Sequence, residues 1–150
     1  MSEKVVYIAH PIGGDVQGNI KDVLSILRDI SFNQKDVIPI APYVVCCQYL
    51  DDNVPEERAI GIVADNMYFK KAYMDEVWFS GPRFSFGMKE EVKLCLKHGL
   101  MMDCYKRDTR ILKPELENLI VEYAPSIVDA NPESIRNNLG LFMKFSFSSR

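Results

Sequence analysis

The chain lacks any apolar run near the roughly 20 residues that a membrane-spanning helix needs. It also lacks metal-binding spacing. Its four cysteines, Cys46, Cys47, Cys95 and Cys104, include no CxxC pair, and with only His10 and His98 beside them no recognisable zinc motif can be assembled. Neither GxGxxG nor the GK[ST] of a P-loop occurs, so neither an NAD-type dinucleotide fold nor a nucleoside triphosphate site is indicated. Excess positive charge is missing as well. Eighteen Lys and Arg face 21 Asp and Glu, a net charge of −3, which gives no reason to expect electrostatic binding to duplex nucleic acid. An acidic protein still binds a mononucleotide, because one phosphate needs only a local cradle of backbone N–H groups. The opening Met1-Ser2-Glu3-Lys4 shows no signal-peptide pattern, and the sparse cysteines suit a reducing compartment, so a cytoplasmic location is expected. Cys46-Cys47 reads as buried free thiols or, alternatively, as a redox-active pair.

What is present is an alternation of strands and helices. Val5–Ala9 is a short apolar, β-branched run ended by the His10-Pro11-Ile12-Gly13-Gly14 loop, which reads as a buried strand. Asn19 is placed to cap a helix in which Ile20, Val23, Leu24, Leu27 and Ile30 recur at helical spacing. Val37–Ala41 is a second strand, and Pro39 within it argues for an edge position. Residues 43–54 look irregular, and a helix is predicted from Pro55 to about Tyr73, with Glu56 and Glu57 suiting its dipole. Val77-Trp78-Phe79 is a third strand, Met88–His98 a helix closed by Gly99, and Leu100–Tyr105 a fourth strand. This pattern predicts an α/β fold: a doubly wound, mainly parallel sheet of four or five strands with helices on both faces, flavodoxin- or Rossmann-like. Ligands in such sheets sit beyond the carboxyl ends of the strands, so the loops after Ala9, Ala41 and Phe79 mark the expected site.

No repeat, linker or low-complexity run divides residues 1–150, so a single domain is predicted. From about Arg107 the pattern weakens, and residues 105–150 are expected to form a C-terminal extension packed on the domain. In it, Pro114–Val121 could be a helix, Pro125 is expected to break the chain, and Asn131-Pro132-Glu133 opens a short helix. The alternating Phe142–Phe147 tail reads as a last strand or as a segment lying on another subunit.

Three clusters could carry chemistry. Paired Gly13 and Gly14 just after a strand let backbone N–H groups approach an anion, or form a plain turn. Ser85-Phe86-Gly87-Met88 joins a hydroxyl and a glycine to a helix start, with Glu90 and Glu91 in its first turn, where they face a ligand or solvent. Asp51-Asp52 with Asp65-Asn66 is the third, most simply a set of solvated residues. A carboxylate beside a phosphate cradle suits cleavage of an N-glycosidic bond, because oxocarbenium charge develops at the sugar C1 while the departing base needs a proton. Tyr43 and Tyr49 are placed to stack on a base, whereas Trp78 and Phe79 read as core. His10 either donates to the ligand or caps the strand end, and Arg83 either pairs with phosphate or lies exposed.

Tyr7 to Gly14 with Asn19, and Ser85-x-Gly87-x-x-x-Glu91-Val92-x-x-Cys95, resemble the two signatures of the nucleoside 2-deoxyribosyltransferase superfamily, which includes 2'-deoxynucleoside 5'-monophosphate N-glycosidases. Asp75-Glu76-Val77-Trp78, Ala41-Pro42-Tyr43 and Leu50-Asp51-Asp52 resemble its unassigned bacterial and phage branch, and the likeness covers residues 4–105. The resemblance implies Glu91 as nucleophile with Glu90 as the fallback, Tyr7 orienting that carboxylate, and Asp65 as the candidate acid toward the base. It implies that Gly13, Gly14, Ser85 and Gly87 cradle a 5'-phosphate or the ribose 5' oxygen, with Ile12, Gly81 and Met88 lining the site. His10-Pro11 stands where many members have glycine or serine, and Cys95 replaces a small apolar residue. The expected activity is N-glycosidic hydrolysis or transfer on a deoxyribonucleoside or its 5'-monophosphate, with no cofactor and no metal, in a homodimer or higher oligomer. The alternatives are a non-catalytic nucleotide-binding protein, a sensor or sequestering module, or an interaction protein working through residues 141–147.

Overall fold

A computed structural model describes residues 3–144. Four strands, β1 (Lys4–Ala9), β2 (Val37–Ile40), β3 (Glu76–Phe79) and β4 (Met101–Cys104), form one sheet in the order β2-β1-β3-β4, with every pair parallel. Parallel neighbours require crossovers, and helices supply them. The six helices described are α1 (Val16–Asn33), α2 (Pro42–Tyr49), α3 (Pro55–Lys70), α4 (Phe86–His98), α5 (Thr109–Val128) and α6 (Pro132–Asn137). The fold is the α/β, doubly wound, Rossmann-like architecture expected. No described helix is long and apolar enough to cross a membrane.

Strand alternation divides the core in two. Val6 and Ile8 of β1 join Ile26, Ile30, Val37, Trp78 and Tyr105 on the α1 face. Tyr7 and Ala9 point the other way, into the cluster that holds Phe69, Phe79, Met88, Val92, Leu112, Leu116 and Ile120 of α3, β3, α4 and α5. Tyr7 is therefore committed to the α3–α4 side by the two-residue period of its strand. The chain leaves β1 for β2 on one side and places β3 on the other, so the sheet's topological switch lies between β1 and β3.

Several local expectations need correction. Residues 42–49 are a helix, not irregular: Pro42 at its first turn is pre-set for helical φ, although none of its residues is fully buried. The cap of α1 is Asp15, whose carboxylate accepts from Gly18 N–H at 3.1 Å, while Asn19 lies inside the helix and donates to the Ile12 carbonyl at 2.9 Å. Helix α3 ends at Lys70, short of Tyr73, and α4 begins at Phe86, which moves Glu90 and Glu91 from the first to the second turn. Pro114 and Pro125 both lie within α5. Each removes a backbone donor, but the buried stripe Leu112, Leu116, Leu119, Ile120 and Ala124 packs the helix onto α4, and that burial overrides the local cost. Pro39 does stand on an edge strand.

The C-terminal residues close the opposite edge. Met102 N–H donates to the Phe142 carbonyl and Lys144 N–H to the Met102 carbonyl, making one parallel bridge beside β4. Lys144 also joins Lys4 and the Trp78 indole on the buried Glu76 carboxylate. Burial works to raise that carboxyl, but its three donors outweigh it and hold Glu76 below the usual range. The last part of the expected tail strand, Phe145–Phe147, lies outside the described residues.

Candidate functional site

Beyond the carboxyl ends of β1 and β3 opens a cavity of about 860 Å³, near the upper end of the ~300–1,000 Å³ range of small-molecule sites. Four segments build most of it. The loop after β1 contributes Ile12, Gly13 and Gly14, α2 contributes Tyr43, Cys46 and Cys47, α3 contributes Arg58, Gly61, Ile62, Asp65 and Asn66, and α4 with its entry loop contributes Arg83, Ser85, Glu90, Glu91, Leu94 and Lys97 among others. On α3 the lining residues recur at 58, 61, 62, 65 and 66, and on α4 at 87, 90, 91, 94 and 97, the spacing of single helical faces.

At the floor of this cavity lies a hydrogen-bonded triad. The Tyr7 hydroxyl is 2.6 Å from Oε2 of Glu91 and 2.7 Å from both Oδ1 and Oδ2 of Asp65. A phenol has one proton to donate, and three carboxyl oxygens crowd it. When Tyr7 donates to one carboxylate, the other meets a hydroxyl lone pair and is favourable there only as a carboxylic acid. The arrangement thus holds one extra proton between Asp65 and Glu91, and the two titrate as a pair. Burial and then the Asp65 charge push Glu91 well above the ordinary carboxylate range. Burial raises Asp65 too, with the Tyr7 hydrogen bond working against it. Tyr7, fully buried beside two carboxyls, is driven far above a normal phenol by burial first and the carboxylates second. Its ring is held edge-on to Phe69 at 4.8 Å and near Tyr43 at 5.8 Å.

The structure brings most of the sequence-derived residues to this cavity. Tyr7, His10, Ile12, Gly13, Gly14, Tyr43, Asp65, Arg83, Ser85, Gly87, Met88, Glu90 and Glu91 all line it. An added Cβ on Gly13 or Gly14 would meet no atom within 4 Å, so backbone is openly presented there, and Gly14 needs its glycine for φ +93°. Ser85 caps α4, its hydroxyl accepting from Met88 N–H at 3.2 Å, while the nearly buried Met88 packs its sulfur against Ser85 N–H. Arg83 is exposed on the rim and makes no hydrogen bond or ion pair among the described residues. Glu90 is separated from the triad and pairs with Lys93 at 2.9 Å.

Gly81, Tyr49 and the Cys46-Cys47 pair stand differently from the expectation, and His10 takes its strand-end alternative. Gly81 does not line the cavity: its N–H donates to Asp108 at 2.7 Å, and at φ +97° it packs against Pro11 and His10. His10 uses both ring nitrogens inside the protein, Nδ1 with the Pro11 carbonyl at 2.6 Å and Nε2 with Asp22 at 2.8 Å, which leaves neither free for a ligand. Tyr49 is exposed and borders a smaller pocket that adjoins the cavity at Cys47, Leu50, Asp52 and Glu57, whereas Tyr43 donates its hydroxyl to the Ile8 carbonyl at 2.5 Å and offers only its ring to the cavity. Cys46 and Cys47 are half-buried on the cavity wall rather than in the core, and burial raises the Cys47 thiol.

Sequence reasoning missed Arg58, Lys93 and Lys97, three further cations on the cavity wall. Arg58 was readable, since it stands seven residues before Asp65 on the same helical face. Lys93 and Lys97 were not, because nothing local tells which face of α4 is uncovered. Among the described residues no group of His, Cys, Asp and Glu could hold a metal ion.

A family model described as a domain of unknown function, DUF7768, matches residues 4–105, the span from β1 to the residue just past β4. No curated protein and no solved structure matches the chain.

Proposed function

The chain belongs to the DUF7768 family, and we propose that it cleaves or transfers the N-glycosidic bond of a deoxyribonucleoside or its 5'-monophosphate through Glu91. The observation that carries this reading is the Tyr7–Asp65–Glu91 triad, two carboxyls on one phenol hydroxyl at the floor of a cavity that also exposes the Gly13-Gly14 backbone. Each carboxyl has an oxygen within 2.7 Å of one hydroxyl oxygen. Those oxygens are therefore no further apart than the roughly 5–5.5 Å of carboxyl pairs that work through a covalent glycosyl intermediate, and well inside the ~6.5–9.5 Å of pairs that admit a water between them.

In the proposed reaction the shared proton first passes from Glu91 to Asp65, and Glu91 then attacks C1' as the carboxylate with Tyr7 donating to it. The C1'–N bond breaks, a C1'–Oε bond forms, and the Asp65 proton passes to the departing base. Asp65, now ionised, takes a proton from water or from an incoming base, which attacks C1' and releases the Glu91 carboxylate. Gly13, Gly14, Gly87 and Ser85 would hold the sugar's 5' end, with Arg83 adding charge where a 5'-phosphate is present. The residues supply both proton and nucleophile, so the scheme requires no cofactor.

A homodimer fits the same reading. Only Phe69 of α3 is buried, while Ile60, Val63 and Met67 recur at helical spacing and are exposed along it, an apolar strip that a second copy would cover.

The test is incubation of the protein with deoxynucleosides and deoxynucleoside monophosphates, followed by detection of free base. Release that Glu91→Ala abolishes and Glu90→Ala preserves supports the assignment. Release that survives Glu91→Ala removes the nucleophile, and a nucleotide bound stoichiometrically but recovered intact would make the protein a binding module.

A further inference from the structure

Behind the cavity, on the side away from the triad, one guanidinium ties three loops together. Arg107 lies in the short turn after β4, residues 106–108. Its Nη1 and Nη2 fork onto Oδ1 and Oδ2 of Asp22 on α1, each at 2.9 Å. Its Nε and Nη2 fork onto Oδ1 and Oδ2 of Asp108, again at 2.9 Å. Asp22 in turn meets His10 Nε2 at 2.8 Å, and Asp108 accepts the Gly81 N–H at 2.7 Å. His10 leads within the same loop to Gly13 and Gly14, and Gly81 leads to Arg83 and Ser85. The two arms also touch directly, since a Cβ on Gly81 would stand 2.7 Å from Pro11 Cδ and 3.2 Å from His10 Nε2.

Planar forks of this kind fix direction as well as distance, which a point charge does not. Bidentate contact also changes the charges themselves: the Arg107 hydrogen bonds hold the Asp22 carboxyl down to about 2, against the opposing effect of burial. The Arg107–Asp22 pair stays ionic through the neutral range.

We infer that Arg107 is a positioning residue that sets the separation of the two loops bearing Gly13-Gly14 and Arg83-Ser85, and through it the grip on the 5' end of the ligand. It touches neither the cavity nor the triad, and its effect on nucleotides rests on the reading given above. Loss of the fork would leave Tyr7, Asp65 and Glu91 in place, since they are held by β1, α3 and α4, while the two loops would be free to move apart.

The full chain bearing Arg107→Met, and separately Arg107→Lys, tests this without presupposing activity. In amide NMR spectra, the Gly13, Gly14 and Ser85 resonances are expected to shift and the Gly81 amide to exchange at least tenfold faster, while the Tyr7 and Phe79 amides keep their positions. Lysine cannot fork onto two carboxylates, so Arg107→Lys is expected to behave like Arg107→Met, and it serves alone if the methionine variant fails to fold. Loop resonances and Gly81 exchange unchanged in Arg107→Lys would overturn the inference. With a deoxynucleoside monophosphate as substrate, KM is expected to rise about tenfold and kcat to stay within about twofold. A fall confined to kcat would overturn the link to the 5' end. Failure of the wild-type chain to act on or bind any nucleotide would sink the functional reading instead, and the loop spectra would still decide the role of Arg107.

Discussion

The hydroxyl of Tyr7 on the first strand lies 2.6 Å from a carboxylate oxygen of Glu91 on the fourth helix, 84 positions later in the chain. Tyr7 is fully buried and has Asp65 at 2.7 Å on its other side. The phenol therefore joins a pair of carboxyls that also hydrogen-bond each other, and its single proton serves both.

Tyr7→Phe removes that hydroxyl without changing the ring that packs on Phe69 and Tyr43. The carboxylates then lose their common donor, and Glu91 loses the hydrogen bond that favours its ionised, nucleophilic form. Release of free base is expected to slow by about 10²-fold, the scale of losing one preorganised donor in a site. Initial rates at saturating deoxynucleoside monophosphate measure it, and a rate within twofold of wild type would take Tyr7 out of the mechanism.

Much of the fold was legible because it is local. The apolar run at Val5–Ala9, the edge proline at Pro39, the glycine after His98 and the cap at Asn131 each dictate structure through neighbours within a few residues, and the structure has them in those roles. What failed was where burial competes with local preference. Pro114 and Pro125 look like breakers until α4 is there to pack against, and residues 42–49 look irregular because that helix has no fully buried face. Within the site, the glycine loop could be placed from its position after a strand, and Glu91 was singled out by the signature it resembles. Asp65 could not be weighted properly, since its importance comes from Tyr7 and Glu91, 58 positions before it and 26 after, and no spacing rule links the three. The Arg107 network was invisible for the same reason.

Asp65 and Glu91 are expected to separate kinetically. Glu91→Ala removes the group that captures C1', and no glycosyl-enzyme can form. Asp65→Asn keeps the shape and loses the proton, so base release should fall by about 10²–10⁴-fold, the usual contribution of a general acid. That loss should shrink for a nucleoside whose base leaves without protonation, and rapid-quench measurement of the first turnover is the check. Equal losses for good and poor leaving groups would show that Asp65 only supports the site.

Glu91 should also leave a mark on stability. Its carboxyl titrates higher in the folded chain than in the unfolded one, where a glutamate sits near 4.3. The folded state therefore binds more protons over that interval, so its stability is greatest below the unfolded value and declines as pH rises through the folded one. Glu91→Gln cannot ionise and escapes this decline. Its Tm should gain on wild type as pH rises from about 4.5 to 9, by roughly 2–4 °C for each kcal/mol relieved. A Tm difference that stays flat across this range would mean Glu91 is not raised by burial.

Three glycines near the site should respond to alanine in a fixed order. Gly81 sits at φ +97°, and an added Cβ would lie 2.7 Å from Pro11 Cδ, part of a ring that cannot swing aside. Gly81→Ala thus combines backbone strain with a clash, on the order of 1–3 kcal/mol for the strain alone, and should lower Tm most. Gly14, at φ +93°, carries the strain without the clash, since nothing lies within 4 Å of its Cβ position. Gly13 has open space and no positive φ, so its alanine variant should melt within about 1 °C of wild type. Its new methyl group would nonetheless stand where the backbone is open to the cavity, so the Gly13 variant should bind nucleotide more weakly despite normal stability. Calorimetric melting with titration of a deoxynucleoside monophosphate resolves the two effects. Wild-type affinity in Gly13→Ala would remove this loop from the ligand's grip, and a Gly81 variant as stable as the Gly13 one would show that the two loops are not held in contact.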